Sequence, residues 1–172
     1  MTLRPVGITG VGMAVPDNVV TNADLEKMVD TSDAWIRKMT GISERRISAK
    51  GEASSDYAIQ AARRAMEMAG VTGDQIDLII VGTVTPDMIF PSTACIVQDA
   101  IGAKKAAAFD LSAACPGWLY GAVMAQQTIA TGMYNCALVI GVEMLSKVVD
   151  WEDRNTCVLF GDAAGATILQ PV

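Results

Sequence analysis

Short apolar runs alternate along this chain with segments in which apolar residues recur at helical spacing. The runs are nearly continuous, as expected of strands that are buried on both faces of a parallel sheet. Strands that alternate with helices in this way predict an α/β fold with helices on both faces of the sheet. The motif GDAAGA, which leads into the last run, is interpreted as a tight turn. The predicted strands cover residues 6–13, 76–84, 106–111, 137–144 and 166–169.

Three helices are predicted between the first two strands, over residues 21–30, 31–41 and 54–70. The second and third end at a glycine, the residue that most often terminates a helix. A Ser, Thr or Asn side chain at the start of each helix can accept a hydrogen bond from a backbone N–H group of the first turn. The candidate capping residues are Thr21 or Asn22, Thr31 or Ser32, and Ser54 or Ser55.

A fourth helix is predicted after Cys115, and it differs because no charged residue lies between Leu111 and Val142. A helix that is apolar all round is buried all round. One sheet and a few amphipathic helices cannot cover both of its sides, so we expect a second layer of similar size, on another polypeptide or lost by truncation. Polar, Gly and Pro residues interrupt the uncharged stretch, which disfavours a transmembrane helix.

The composition excludes several classes of function. The net charge is −6, with 13 Lys and Arg against 19 Asp and Glu, and no basic stripe is present to bind nucleic acid. An apolar content of 51% excludes a disordered chain and is sufficient for the core of one globular domain. The first residues resemble neither a signal peptide nor a transit sequence, so a cytoplasmic protein without a membrane partner is expected.

The four cysteines are about twenty residues apart and the chain has no histidine, so no metal site is expected. Cys115 is the candidate nucleophile, because it precedes Pro116 at the positive end of a predicted helix, where a thiolate is favoured. A phosphatase loop would require Arg at Gly121, and a redox pair would require Cys at Trp118. Acyl transfer through a thioester remains as the chemistry that fits Cys115, because it needs one activated cysteine and nearby N–H donors for the oxyanion. The other three cysteines are interpreted as core residues.

Five blocks of sequence carry a family resemblance: TNADLEKMVDTSDAWI, TGISERRI, GTVTPDMIFPSTAC, AFDLSAAC and DRNTCVLFGDAAGA. In this order and spacing they resemble the 3-oxoacyl-[acyl-carrier-protein] synthase III family, a branch of the thiolase-like condensing enzymes. The resemblance covers nearly the whole chain. It implies that residues 1–172 are the N-terminal half of a thiolase-like fold, with a five-stranded, mixed and mainly parallel sheet, and that the C-terminal half is absent from this chain.

The resemblance also implies a reaction. In the family, a cysteine that matches Cys115 takes a short acyl group such as acetyl from coenzyme A. Malonyl-acyl-carrier protein then loses carbon dioxide and attacks the thioester, which initiates type II fatty acid synthesis. The His and Asn that assist decarboxylation belong to the second half. Acyl-coenzyme A is a substrate, so no cofactor is implied, and the implied partners are malonyl-acyl-carrier protein, a C-terminal half domain and a second copy in a homodimer.

The resemblance assigns further residues to binding. Trp35 and Arg154 match the pair that binds the adenine of coenzyme A, and a flat indole and a guanidinium are able to sandwich a purine. Thr31 matches a position near the same nucleotide. The acyl pocket is implied to include Phe90, which reaches across the dimer, together with two positions that line the pocket, Leu145 and Phe160.

Two other functions stay open, and departures from the family pattern bear on the second of them. Met39 replaces an Arg that helps to bind coenzyme A, and Pro116 and Trp118 follow the nucleophile where smaller residues and Phe are usual. One alternative is a non-catalytic half that binds coenzyme A or acyl groups, or that acts as a scaffold. The other is a related condensing enzyme with another acyl donor. A local basic cluster is a candidate docking surface for acyl-carrier protein, namely Arg37, Lys38, Arg45 and Arg46.

Overall fold

The computed structural model describes residues 3–172, which form two compact units. Residues 3–14, 53–143 and 164–172 form the first, which we call the sheet unit, and residues 15–52 and 144–163 form the second, which we call the hairpin unit. In chain order the elements are β1 (Val6–Ala14), β2 (Val19–Thr21), α1 (Asn22–Leu25), α2 (Asp33–Thr40), β3 (Glu44–Arg46), α3 (Ser54–Ala69), a 3-10 turn (Gly73–Gln75), β4 (Leu78–Gly82), α4 (Thr93–Ala100), β5 (Ala107–Leu111), α5 (Gly117–Ala130), β6 (Ala137–Met144), a 3-10 turn (Leu145–Lys147) and β7 (Asp162–Pro171).

The predicted α/β class and the five-stranded mixed sheet are confirmed. The strand order is β1-β7-β6-β4-β5. Strand β4 pairs in parallel with both β5 and β6, whereas β1 is antiparallel to β7. The interpretation of GDAAGA as a tight turn is wrong, because β7 begins at Asp162 and runs through the motif. Its residues pair with the end of β1, and this pairing extends the strand beyond the apolar run that predicted it.

Helices cover both faces of the sheet. On one face α3 packs against β1, where Gly12 makes a close approach possible: a Cβ atom added there would lie 2.2 Å from the carbonyl oxygen of Ala61. On the other face α5 packs against β4 and β6, and a Cβ atom added at Gly121 would lie 3.0 Å from Val139 and 3.1 Å from Ile80. Side chains that alternate along each strand thus fill two separate layers of core.

Helix α5 has one buried side and one exposed side. Gly121, Ala125 and Ile129 are buried against the sheet. The opposite side is apolar and about half exposed, as expected if the elements of this chain cover only one side of the helix. The second layer that would cover this side remains a prediction. The exposed residues are Leu119, Tyr120, Val123 and Met124.

The hairpin unit has a small core of its own. Strands β2 and β3 form a two-stranded antiparallel sheet. Leu25, Ile36, Cys157 and Val158 are fully or almost fully buried together, and Trp35 packs against this cluster. Of the predicted helices here, the first is a single turn and the second has the predicted extent, ending at a left-handed glycine.

The capping residue of α3 differs from the prediction. Ala53 occupies the cap position, and its N–H group donates to the carboxylate of Asp56. The hydroxyl groups of Ser54 and Ser55 instead bind the loop that follows β4, at the Thr85 carbonyl and the Asp87 carboxylate. Within residues 3–172, no helix is both long enough and apolar enough to cross a membrane.

Candidate active site

Cys115 lies in the turn between β5 and α5, and it is exposed. Ala114, directly before it, has a φ of 51°, in the left-handed region that residues other than glycine seldom occupy. The N–H group of Gly117 donates to the Ala114 carbonyl at 2.8 Å and closes the turn. The predicted position of Pro116 is one residue off, because Pro116 is the N-cap and α5 begins at Gly117. The thiol therefore precedes the positive end of a 14-residue helix.

The start of α5 rests directly on the sheet. A Cβ atom added at Gly82 in β4 would lie 2.7 Å from the carbonyl carbon of Gly117 and 2.9 Å from the nitrogen of Trp118. The Trp118 indole N–H donates to the hydroxyl of Thr167 at 3.3 Å and lies over Gly141. Strand and helix are thus in backbone contact next to the nucleophile. The unusual Trp118 also forms one wall of an open cavity of about 390 Å³, whose other lining residues are Val11, Gly12, Gly141, Gly165, Ala166 and Thr167.

The remaining cysteines lie in different surroundings. Cys136 and Cys157 are buried, which confirms that they are core residues, and Cys95 is half-buried. Burial, with a smaller contribution from Asp77, raises the pKa of the Cys136 thiol to about 11. Burial also raises the pKa of Cys157, with a further contribution from the negative charge of Asp153. Among the four thiols of the chain, only that of Cys115 belongs to an exposed residue.

Selective alkylation is the first expected result. At pH 8, iodoacetamide should modify Cys115 and leave Cys136 and Cys157 intact, because both of the latter are buried and burial raises the pKa of each thiol. With a pKa of about 11, the Cys136 thiol is ionised in only about one molecule in a thousand. Intact mass and peptide mapping measure the modification. In the denatured chain all four cysteines should react, and modification of Cys136 in the folded protein as fast as Cys115 would contradict the structure.

Trp35 and Arg154 lie together in the hairpin unit. Trp35 is on α2 and Arg154 is on the loop before β7, and the guanidinium carbon is 4.6 Å from the centre of the indole ring. Arg154 Nη1 is also 3.9 Å from a carboxylate oxygen of Asp30. A purine between two flat groups needs about 7 Å, since each stacking contact takes about 3.5 Å. The two groups are therefore in direct cation–π contact and would have to separate by about 2 Å to admit a purine.

Thr31 precedes the cap of α2. The cap is Ser32, whose hydroxyl accepts from the N–H group of Trp35 at 3.2 Å. The Thr31 hydroxyl is buried and has no hydrogen-bond partner within residues 3–172. In this conformation any contact between Thr31 and a nucleotide would involve its methyl group or its backbone.

A Thr31→Val variant should be more stable than the wild type. Removing a buried, unpaired hydroxyl should increase the free energy of unfolding by about 1 kcal/mol and leave coenzyme A affinity unchanged. Ser32→Ala is the matched control: it removes the cap of α2 and should lower the free energy of unfolding by about 1 kcal/mol. Urea unfolding measures both changes. A weaker affinity of Thr31→Val for coenzyme A would show instead that the hydroxyl contacts the nucleotide.

The predicted acyl-pocket residues are divided between the two units. Phe90 belongs to the sheet unit and is 87% exposed, on a loop whose start is held by hydrogen bonds from Val84 and Thr85 to Glu143. Leu145 and Phe160 belong to the hairpin unit, and both are half-buried. The structure therefore presents Phe90 as an exposed ring on an anchored loop.

The predicted basic docking cluster requires a correction. Arg45 is only 6% exposed, because its guanidinium is hydrogen-bonded inside the hairpin unit. Arg37 is exposed, but its Nε donates to the carboxylate of Asp33 at 2.8 Å. The cluster therefore lacks one of its four cations. Residues 3–172 also contain no group of three His, Cys, Asp or Glu side chains that could hold a metal ion.

Comparison with known proteins relates the whole chain to one group. Residues 109–172 match the family described as 3-oxoacyl-[acyl-carrier-protein (ACP)] synthase III. The chain is 74% identical over 172 residues to the beta-ketoacyl-[acyl-carrier-protein] synthase III of Symbiobacterium thermophilum, covering all of this chain and 52% of that protein.

Solved structures give the same result. The 3-oxoacyl-[acyl-carrier-protein] synthase III of Aquifex aeolicus VF5 superposes with a TM-score of 0.95 at 50% identity, over 98% of this chain and 54% of that one. The priming beta-ketosynthase of the R1128 polyketide pathway superposes with a TM-score of 0.96 at 35% identity, over 99% of this chain and 51% of that one. The chain spans about half the length of the curated relatives that it matches.

Proposed function

Because the chain belongs to the 3-oxoacyl-[acyl-carrier-protein] synthase III family and has its thiolase-like fold, we propose that it is the nucleophile-bearing half of an acyltransferase. The proposed reaction is the decarboxylative Claisen condensation of a short acyl-coenzyme A, such as acetyl-coenzyme A, with malonyl-acyl-carrier protein. The observation that supports it best is the exposed Cys115, held in a turn with a left-handed Ala114 at the start of α5.

The first step is acyl transfer to Cys115. The thiolate attacks the thioester carbonyl, the bond from that carbon to the coenzyme sulfur breaks, and coenzyme A leaves as a thiolate that takes up a proton. The N–H group of Gly117 already donates to the Ala114 carbonyl, so the next N–H groups of the first turn of α5, those of Trp118 and Leu119, are the candidate donors to the oxyanion. This part of the reaction needs only groups that this chain possesses.

The second step is condensation. Loss of carbon dioxide from the malonyl group leaves a carbanion, which attacks the acyl carbon, forms the new carbon–carbon bond and releases the sulfur of Cys115 as a thiolate. A decarboxylating His is required by the family pattern, and this chain has no histidine. We therefore assign the His and Asn of this step to a C-terminal half domain.

The uncovered apolar surface supports that partner. The outer side of α5 is apolar and about half exposed, and β1 exposes Val11 and Met13 on the sheet face that α5 leaves open. A second α/β layer packed there would bury this surface, at a gain of about 25 cal/mol for each Å² removed from water. The open cavity beside Trp118 lies on the same face.

The remaining assignments follow the family. Trp35 and Arg154, with Thr31 nearby, are proposed to bind the nucleotide of coenzyme A, and their direct contact supports this because both belong to one surface. Phe90 is proposed to reach a second copy in a homodimer, which its exposure permits. Leu145 and Phe160 are proposed to line the acyl pocket. Four unpaired cysteines are typical of a reducing compartment, so the proposed location is the cytoplasm.

Acetyl transfer tests the proposal. Intact mass after incubation with acetyl-coenzyme A should show one acetyl group, and peptide mapping should place it on Cys115. Calorimetry with coenzyme A measures binding separately. Binding without acetylation would support the non-catalytic alternative, and the absence of both would overturn the proposal.

A further inference from the structure

A buried arginine lies at the centre of the hairpin unit. Arg45, on β3, donates from Nη2 to the side-chain oxygen of Asn22 at 2.9 Å and to the carbonyl of Val158 at 3.2 Å. Its Nη1 donates to the carbonyl of Val20 at 3.2 Å. No carboxylate of residues 3–172 forms an ion pair with it, and burial lowers the pKa of its guanidinium. Burying a cation costs desolvation free energy, and neutral acceptors offset this cost only in part. Stability alone therefore does not account for a buried arginine with three directed hydrogen bonds.

Asn22 extends these bonds to α2. Its side chain is 99% buried, and its amide nitrogen donates to the Asp33 carboxylate at 2.8 Å and to the Ile42 carbonyl at 2.8 Å. Hydrogen bonds from Asn22 and from Arg37 hold the pKa of Asp33 below its usual range. Asp33 is the first residue of α2, and Trp35 follows two residues later. One end of the network is therefore fixed to the helix that presents the indole.

The other end is fixed to the loop that presents Arg154. Val158 accepts from Arg45, and the N–H group of Cys157 donates to the carbonyl of Asp153 at 3.0 Å, which closes a tight turn around Arg154. The Asp153 carboxylate accepts from the side chain of Thr156 at 2.8 Å within the same turn. A continuous set of hydrogen bonds thus connects the segment of Arg154 with the segment of Trp35.

We propose that Arg45 and Asn22 are positioning residues of the nucleotide site. Their hydrogen bonds fix the two segments that carry the flat groups, and so hold Trp35 and Arg154 face to face where a purine would enter between them. Two segments far apart in sequence need such a connection, because a stacking pair binds a purine only if its planes stay parallel and correctly spaced. The inference rests on the proposed function, since it takes this pair as the adenine site of coenzyme A.

The decisive variant is Asn22→Asp. The new carboxylate still accepts from Arg45, but it cannot donate to Asp33 or Ile42, and it places a like charge against Asp33. Calorimetry with coenzyme A should show an affinity about tenfold weaker, which is the order of effect expected for losing a hydrogen bond to a charged group. The alkylation rate of Cys115, in the other unit, should not change.

A second substitution should restore binding. In Asn22→Asp/Asp33→Asn the donor and acceptor are exchanged, so the bond between the two side chains can form again in reverse. We expect this double variant to recover most of the lost affinity, and Asp33→Asn alone to change it little. Asp24→Asn is the matched control: its carboxylate lies in the same unit but accepts hydrogen bonds from Thr21 and Lys27, next to α1, so it should leave coenzyme A affinity unchanged.

The outcomes separate this inference from the proposed function. If coenzyme A binds and Trp35→Ala and Arg154→Ala weaken binding, but Asn22→Asp does not, the positioning role is wrong and the nucleotide site stands. If coenzyme A does not bind the wild type, or binds both alanine variants as tightly as the wild type, the nucleotide site and the positioning role are both wrong. Should Asn22→Asp fail to fold, Arg45→Lys replaces it. The donors of an ammonium lie on one nitrogen and cannot reproduce the planar fork of Nη1 and Nη2, so a folded Arg45→Lys variant with wild-type affinity would overturn the inference.

Discussion

Gly12→Ala is expected to destabilise the protein by about 3 kcal/mol or more, a large part of the roughly 5–15 kcal/mol that stabilises a typical domain. A Cβ atom at this position would lie 2.2 Å from the Ala61 carbonyl oxygen and 2.5 Å from the nitrogen of Ala65. Both are backbone atoms of α3, so the new methyl group can be accommodated only if the helix moves away from β1. Urea unfolding followed by circular dichroism measures the change.

Gly165→Ala is the matched control for this substitution. Gly165 lies on β7, the strand paired with β1, and no heavy atom lies within 4 Å of a Cβ added there. Its φ is outside the left-handed region, so alanine should change the free energy of unfolding by less than about 1 kcal/mol, in the stabilising direction. Equal losses for the two variants would mean that the contact between α3 and β1 is looser than the structure shows.

Cys115→Ser should reduce acetyl transfer from acetyl-coenzyme A by more than about a thousandfold, because the hydroxyl that replaces the thiol is not ionised at neutral pH. Coenzyme A affinity should stay at the wild-type value, since the substitution leaves Trp35 and Arg154 unchanged. The rate at which labelled acetyl groups enter the protein measures the loss.

Cys95→Ser provides the comparison. Cys95 is half-buried on α4 and its thiol is 3.2 Å from the Ser92 hydroxyl. This variant should accept acetyl groups at close to the wild-type rate. Acetylation that survives Cys115→Ser and disappears in Cys95→Ser would move the nucleophile from the turn before α5 to α4 and overturn the assignment.

The central strands were predictable because they are buried on both faces of the sheet, and such strands appear in the sequence as nearly continuous apolar runs. All five residues of β4 are buried, and β6 has the predicted bounds. Helix α4 has eight residues and was not predicted, because much of what fixes its start is tertiary: the N–H groups of Thr93 and Ala94 donate to the Asp110 carboxylate from β5. Strands β2 and β3 have three residues each, too few to show any periodicity.

The candidate site was predictable only where local sequence determines it. Cys115 was identified from the Pro and Gly that follow it, but the left-handed backbone of Ala114 leaves no trace in composition. Arg45 was assigned to the surface because arginine is usually exposed, and Asn22 was considered only as a helix cap. Their buried bonds depend on Val20, Asp33 and Val158, three positions spread over the chain.

The direct contact between Arg154 and Trp35 has a kinetic consequence. At the proposed nucleotide site a purine would enter only while the guanidinium is away from the indole, so the observed affinity would be the intrinsic affinity multiplied by the fraction of molecules in the open arrangement. If opening is slow, the rate of association levels off as the ligand concentration rises, instead of increasing without limit. Arg154 would then slow both association and dissociation: it would delay the arrival of the nucleotide by shielding the indole, and once displaced it would delay departure by stacking on the purine.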